Sequence, residues 1–127
     1  MTVANFFTDL QNRIQYLESR KQVIDLNIVN NDTPGYAAQD LSFKNRLQQS
    51  SALKTTHPNH LSSNTSGQVG GFEIVVEQDP LEVSPNGNTV SLEQEHLKMA
   101  QTADQHELMT RIYQEGLGMH RTAVGKN

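Results

Sequence analysis

The chain has 127 residues, 10 basic and 14 acidic side chains, and a net charge of −4, which fits a single domain of the usual ~100–150 residues and excludes the broad basic face that nucleic acid requires. Cysteine is absent, so there is no disulfide scaffold, thiol nucleophile or thiolate metal site. Hydrophobic residues make up only 35%, while Asn and Gln number 11 and 12; such a chain makes helices more readily than it fills a core, and looks to partner subunits to complete one.

Nothing approaches the ~20 consecutive apolar residues of a membrane span. Met1–Leu10 has no basic stretch ahead of Phe6 and Phe7, so the expectation is a chain that stays in the cytoplasm or leaves it without a cleaved signal. The first predicted element runs from Val3 to about Asn30. Val3, Phe7, Leu10, Ile14, Leu17, Ile24 and Ile28 are spaced 4, 3, 4, 3, 7 and 4 residues apart, with Lys21 at the missing position. This narrow stripe suits a coiled-coil seam better than a broad globular face.

The helix is expected to stop at Asn30-Asn31-Asp32-Thr33-Pro34-Gly35. Pro34 disfavours helical backbone at Thr33, and Pro-Gly is the favoured centre of a type II turn. The middle of the chain reads as irregular. Asp40 is expected to cap a short helix carrying Phe43 and Leu47, and Ser62–Gly71 reads as loop or disorder. Phe72–Glu77 is the clear strand candidate, and Leu81–Val83 a second one. The last element begins after the turn Pro85–Asn88. Ser91 and Gln94 stand at the positions of a capping box, and Leu97, Ala100, Leu108, Ile112 and Met119 continue one face to about Arg121. Gly116 and Gly118 read as weak points in the final turns.

Candidate chemistry is sparse. His57 and His60 form an H-x-x-H pair without a third ligand type nearby, and His96, His106 and His120 are too far apart along the last helix to meet on one turn. No serine lies in a G-x-S-x-G context and no GK[ST] follows Gly70-Gly71. Glu73 and Glu77 read as solvent-facing alternation. The pattern describes an interaction protein with no enzymatic centre, no metal and no cofactor. The competing readings are a small cytoplasmic helical adaptor or chaperone and a histidine-based metal protein centred on His57 and His60.

The segment Leu26–Tyr36 resembles the motif that closes the first helix of the bacterial flagellar rod and hook family, N-I-A-N-x-x-T-P-G-Y. Asn27, Ile28, Asn30, Thr33, Pro34, Gly35 and Tyr36 match it, Val29 replaces the usual alanine, and Asp32 gives the D-T-P-G-Y form of proximal rod subunits. Two further segments, Leu53–Leu61 and Asn86–Glu95, resemble stretches of one small proximal rod member, with Ser91 in place of aspartate at a position where either caps a helix. The resemblance implies a mainly α fold with short strands in the middle. Residues 1–36 would be the N-terminal coiled-coil helix and its turn, and 37–85 an irregular middle, partly flexible at 50–71. Residues 86–127 would be the C-terminal helix pairing with the first. It also implies a structural subunit of the flagellar basal body, exported through the flagellar type III system. Its partners would be copies of itself, other rod, rod-adaptor and MS-ring proteins, and the export apparatus, without nucleic acid or membrane insertion. On this reading Val3, Phe7, Leu10, Ile14, Leu17, Ile24 and Ile28 pack on Leu97, Leu108, Ile112 and Met119 of the same chain and of neighbours, and the Asn30–Tyr36 turn sets where the helix leaves the inner tube.

Overall fold

The computed structural model describes residues 2–43 and 68–125. In chain order the elements are α1 (Val3–Val29), β1 (Gln39–Ser42), β2 (Gln68–Val69), β3 (Phe72–Val76) and α2 (Leu92–Ala123). The fold is mainly helical, two long terminal helices with a small antiparallel sheet between them in sequence. At ~1.5 Å rise per residue, the 27 residues of α1 and the 32 of α2 make rods of about 40 and 48 Å.

Thr2 starts α1 as its N-cap, accepting from the Asn5 amide at 3.3 Å. The helix carries two buried stripes, not one. Leu17 and Ile24 lie on the heptad seam, toward α2. Val23 lies on a second stripe and forms a core with Leu41 of β1 and Phe72 of β3, flanked by Tyr16, Phe43 and Ile74. The rings of Tyr16, Phe43 and Phe72 meet at 5.3 to 6.0 Å between centroids, and the Arg13 guanidinium covers both Tyr16 and Phe43. Arg20 grips Asp40 through two bonds of 3.1 and 3.2 Å. Burial opposes the Arg20 charge, but the Asp40 bond and charge outweigh it and raise its pKa. Thus α1 is sandwiched between α2 and the sheet.

The sheet order is β1-β3-β2. β1 pairs antiparallel with β3 from Gln39↔Val76 to Ser42↔Glu73. β2 and β3 form a hairpin closed by Gly70 and Gly71, both at positive φ (62° and 86°), as a two-residue primed turn demands.

Three local expectations are corrected. Gln39–Ser42 is a strand, not a short capped helix: Asp40 is held extended by pairing with Val75 and by Arg20. Gln68–Gly71 belongs to the hairpin and not to a loop. Leu81–Val83 is no strand; Leu81 and Val83 are 73% and 65% exposed and pair with nothing in the sheet. The last helix also runs two residues further than expected, to Ala123. The expectations for Leu47, for 50–67, and for His57 and His60 lie outside the described residues.

Candidate assembly site

The turn after α1 is built as the Pro-Gly pair requires. Gly35 has φ 74°, and the Tyr36 amide donates to the Thr33 carbonyl at 3.2 Å, the closing bond of a type II turn. Asn30 folds back onto α1, its Nδ2 donating to the Leu26 carbonyl at 2.8 Å, while Thr33 Oγ1 donates to Asn30 Oδ1. Asp32 and Pro34 stay exposed.

Residues 86–90, far away in sequence, clamp this turn. Asn88 is 1% exposed. Its Nδ2 donates to the carbonyls of Asn30 (2.8 Å) and Thr33 (2.7 Å), and its Oδ1 accepts from the Val90 amide at 2.8 Å. The backbone completes the clamp: the Gly35 amide donates to Asn86, and the Thr89 amide to Tyr36. The two most distinctive sequence segments are therefore one physical unit.

One turn back on α1, the fully buried Asn27 uses all four of its side-chain bonding positions. Nδ2 donates to the Gln39 carbonyl (2.7 Å) and Glu95 Oε2 (3.1 Å); Oδ1 accepts from Tyr36 Oη (3.0 Å) and the Gln39 amide (3.1 Å). Glu95 is also fully buried. Its Oε1 accepts no hydrogen bond but lies 3.6 Å from Lys98 Nζ, which is 3.6 Å from Glu77 as well. Burial, and then the Glu95 charge, push the Tyr36 phenol pKa up. Asn27 thus ties α1, the turn, β1 and α2 at one point. Ser91 stands at the N-cap of α2, but its side chain makes no capping bond and Gln94 closes no reciprocal one. The capping box is corrected: the Asn88 clamp on Val90 fixes the helix entry, and Glu93 and Glu95 supply first-turn negative charge.

The relatives of the chain carry one description. It is 33% identical over 94 residues to the flagellar basal body rod protein FlgB of Bacillus subtilis, covering 73% of this chain and 72% of that protein. It is 29% identical over 103 residues to FlgB of Buchnera aphidicola, 76% of each chain, and 36% identical over 84 residues to FlgB of Aeromonas hydrophila, 60% and 59%. The chain belongs to the FlgB family of flagellar basal body rod proteins. No model of a protein family matches it.

The helical faces of this FlgB-family chain are arranged differently from the expected pairing. Asn27–Glu95, Glu18–His106 (3.3 Å), Gln11–Tyr113 (3.0 Å) and Phe7 against Tyr113, Gly116 and His120 mark the contact line. On α2 that line is Glu95, Met99, Thr102, His106, Met109, Tyr113 and Gly116, a 4–3 repeat. Leu97 and Leu108 lie on the far side, 60% and 49% exposed, Met119 is 73% exposed, and Ile112 is half-buried between. The same-chain packing expected for Leu97 and Leu108 is therefore corrected, because α1 takes a mixed face of α2 that carries Met99, Met109 and Tyr113 among polar and small residues. Hydropathy alone does not single out that face, because Met99, Met109 and Tyr113 alternate there with polar or small residues; the 4–3 spacing marks it. Gly116 is less a weak point than a seat: a Cβ there would lie 3.2 Å from the Phe7 ring.

Burial falls off along the helix pair. Leu17, Ile24 and Ile28 are buried or half-buried, Phe7, Leu10 and Ile14 half-buried, and Val3 57% exposed. At this open end Val3, Phe6, Phe7, Gly116, Met119 and Ala123 line a groove of about 420 Å³. Among the described residues no His, Asp and Glu cluster could hold a metal, and no helix is long and apolar enough to cross a membrane.

Proposed function

We propose that the chain is a structural subunit of the flagellar basal body rod, without enzymatic activity, that assembles through the open end of its α1–α2 pair. The observation that carries this is the coincidence of FlgB-family membership with a helix pair closed at one end by Asn27, Asn88 and Glu95 and unfilled at the other. Val3, Phe6 and Met119 stay exposed there, and covering each contributes about 1.5–3 kcal/mol. Neighbouring rod subunits complete that end, and the resulting continuous helical packing passes motor torque along the shaft. The Asn30–Tyr36 turn, clamped by Asn88, fixes the angle at which the middle segment leaves the helices. A core this small suits export as an unfolded chain through the flagellar type III channel, with folding completed at assembly.

The test is complementation of a strain lacking the chain. Phe6→Ser with Met119→Ser is expected to abolish swimming and leave basal bodies without a complete rod, while the purified variant keeps wild-type helicity because neither side chain is buried. Normal swimming by that variant overturns the reading.

A further inference from the structure

The outer face of α2 meets the open groove at Met119 and otherwise lies away from it, and its chemistry describes what covers it. We propose that this face receives a helix from a different protein, one whose apolar stripe is flanked by Lys or Arg; the proposal rests on the rod reading and names the kind of partner this face takes.

Leu97, Leu108 and Met119 recur every 11 residues, with Ile112 between the last two. Eleven residues are about three turns of α-helix, at ~3.67 residues per turn, so the stripe runs nearly straight along α2. The inner line toward α1 follows the 4–3 repeat instead. One helix thus presents two lines of different pitch, one filled by α1 and the other exposed.

The rim of the outer stripe is acidic. Glu93, Asp104, Glu107 and Glu115 are exposed there, and between them Arg111 is the single basic side chain, held by Glu107 at 3.1 Å. Glu93, Asp104 and Glu115 have no ion-pair partner among the described residues. Among the described residues a second copy offers no complementary helix. The exposed side of α1 carries Asp9 and Asp25, while Glu18 pairs with His106 of α2, Arg13 and Arg20 are committed to the sheet and Lys21 is half-buried. Setting like charges against one another penalises self-docking, whereas a basic-flanked helix meets both the apolar stripe and its rim.

The experiment places a photo-crosslinking phenylalanine derivative at Gln101, an exposed position between Leu97 and Leu108, in cells assembling flagella, and maps the crosslinked peptide. The expected adduct joins a different protein within a helical segment whose apolar residues are flanked by Lys or Arg. Asp104→Lys with Glu115→Lys, both surface changes, should cut the adduct at least tenfold, and reversing the partner's basic residues to Glu should restore it. An adduct to a second copy, including its basic residues Lys44, Arg46 or Lys54, overturns the proposal, as does an adduct indifferent to both charge reversals, or no adduct in swimming cells. These failures leave the rod reading standing, because they are scored in cells that still swim; loss of the rod reading is registered separately by a swimming Phe6→Ser, Met119→Ser strain.

Discussion

Asn88 holds three backbone groups with one side chain. Its amide fills two carbonyls at the end of α1 and in the turn, and its oxygen fixes the amide that leads into α2. Asn88→Ala strands these groups where water is largely excluded, and each buried unsatisfied group costs about 1–3 kcal/mol. A loss of about 2 kcal/mol or more in denaturant unfolding is expected. Asn88→Asp is expected to lose at least as much, since a carboxylate would face two carbonyl oxygens; an Asp variant as stable as wild type would refute the donor role. Glycines give a paired comparison. At Gly35 a Cβ meets nothing, so Gly35→Ala costs only the left-handed backbone, about 1–2 kcal/mol. At Gly70 a Cβ collides with Ser19 Oγ on buried Ser19, and about 3 kcal/mol or more is expected. The tyrosines set an alkaline limit. Tyr16 donates to the Leu41 carbonyl at 2.9 Å, and burial raises its pKa above the ordinary 10.0; Tyr36 is raised likewise. A phenol pKa raised by folding contributes stability that is whole below the unfolded value and is lost as pH climbs through the folded one. Stability is therefore expected to fall above about pH 10, with tyrosinate absorbance appearing late. Tyr16→Phe and Tyr36→Phe should each remove part of that late step.

At the scale of elements, what the sequence reveals depends on whether an element declares itself by hydropathy. The α1 seam does, since its buried members are Leu and Ile at heptad spacing, and so does β3, whose Phe-Glu-Ile-Val-Val run has strong strand character. The Pro34-Gly35 turn is legible because only a few backbone geometries accept that pair. β1 is hidden: Gln39-Asp40-Leu41-Ser42 has one apolar residue, and its extended form comes from β3 and Arg20, both distant in sequence. The partner face of α2 is hidden for the opposite reason, because Leu97 and Leu108 point away from α1 and mislead a ranking by hydropathy, while Met99, Met109 and Tyr113 face α1 among polar residues. The second stripe of α1, with Ser19, Val23 and Asn27 buried beside the sheet, is likewise polar enough to pass for surface. The Asn86–Val90 segment reads as a turn, but its lock on Asn30 and Thr33 is a long-range fact. The turn itself can be broken. Pro34→Ala with Gly35→Ala is expected to let α1 run on past Val29, raising helical content and destroying the geometry that Asn88 recognises. Complementation should then yield stalled rods; motile flagella would show that the turn does not position the middle segment.

At the scale of the whole molecule, stability is graded from one end of the helix pair to the other. Every buried hydrophobic side chain of α1 lies between Leu17 and Ile24, and the buried residues of α2 are Glu95 and Thr102. The sheet, the Asn88 clamp and the Asn27–Glu95 bond all meet at that same end. The opposite end has only half-buried contacts, with Phe7 packed against Tyr113, Gly116 and His120. Because local opening costs only the contacts it breaks, the open end should fray long before the closed end unfolds. Amide hydrogen exchange on the dilute chain is expected to show strong protection over 17–27 and 95–102, and fast exchange over 3–10 and 112–123. Rising concentration, or addition of rod neighbours, should slow exchange in the second group first, and helicity should increase with it. Uniform protection along both helices at every concentration would mean that the pair needs no neighbour to complete it, and assembly through its open end would lose its physical basis.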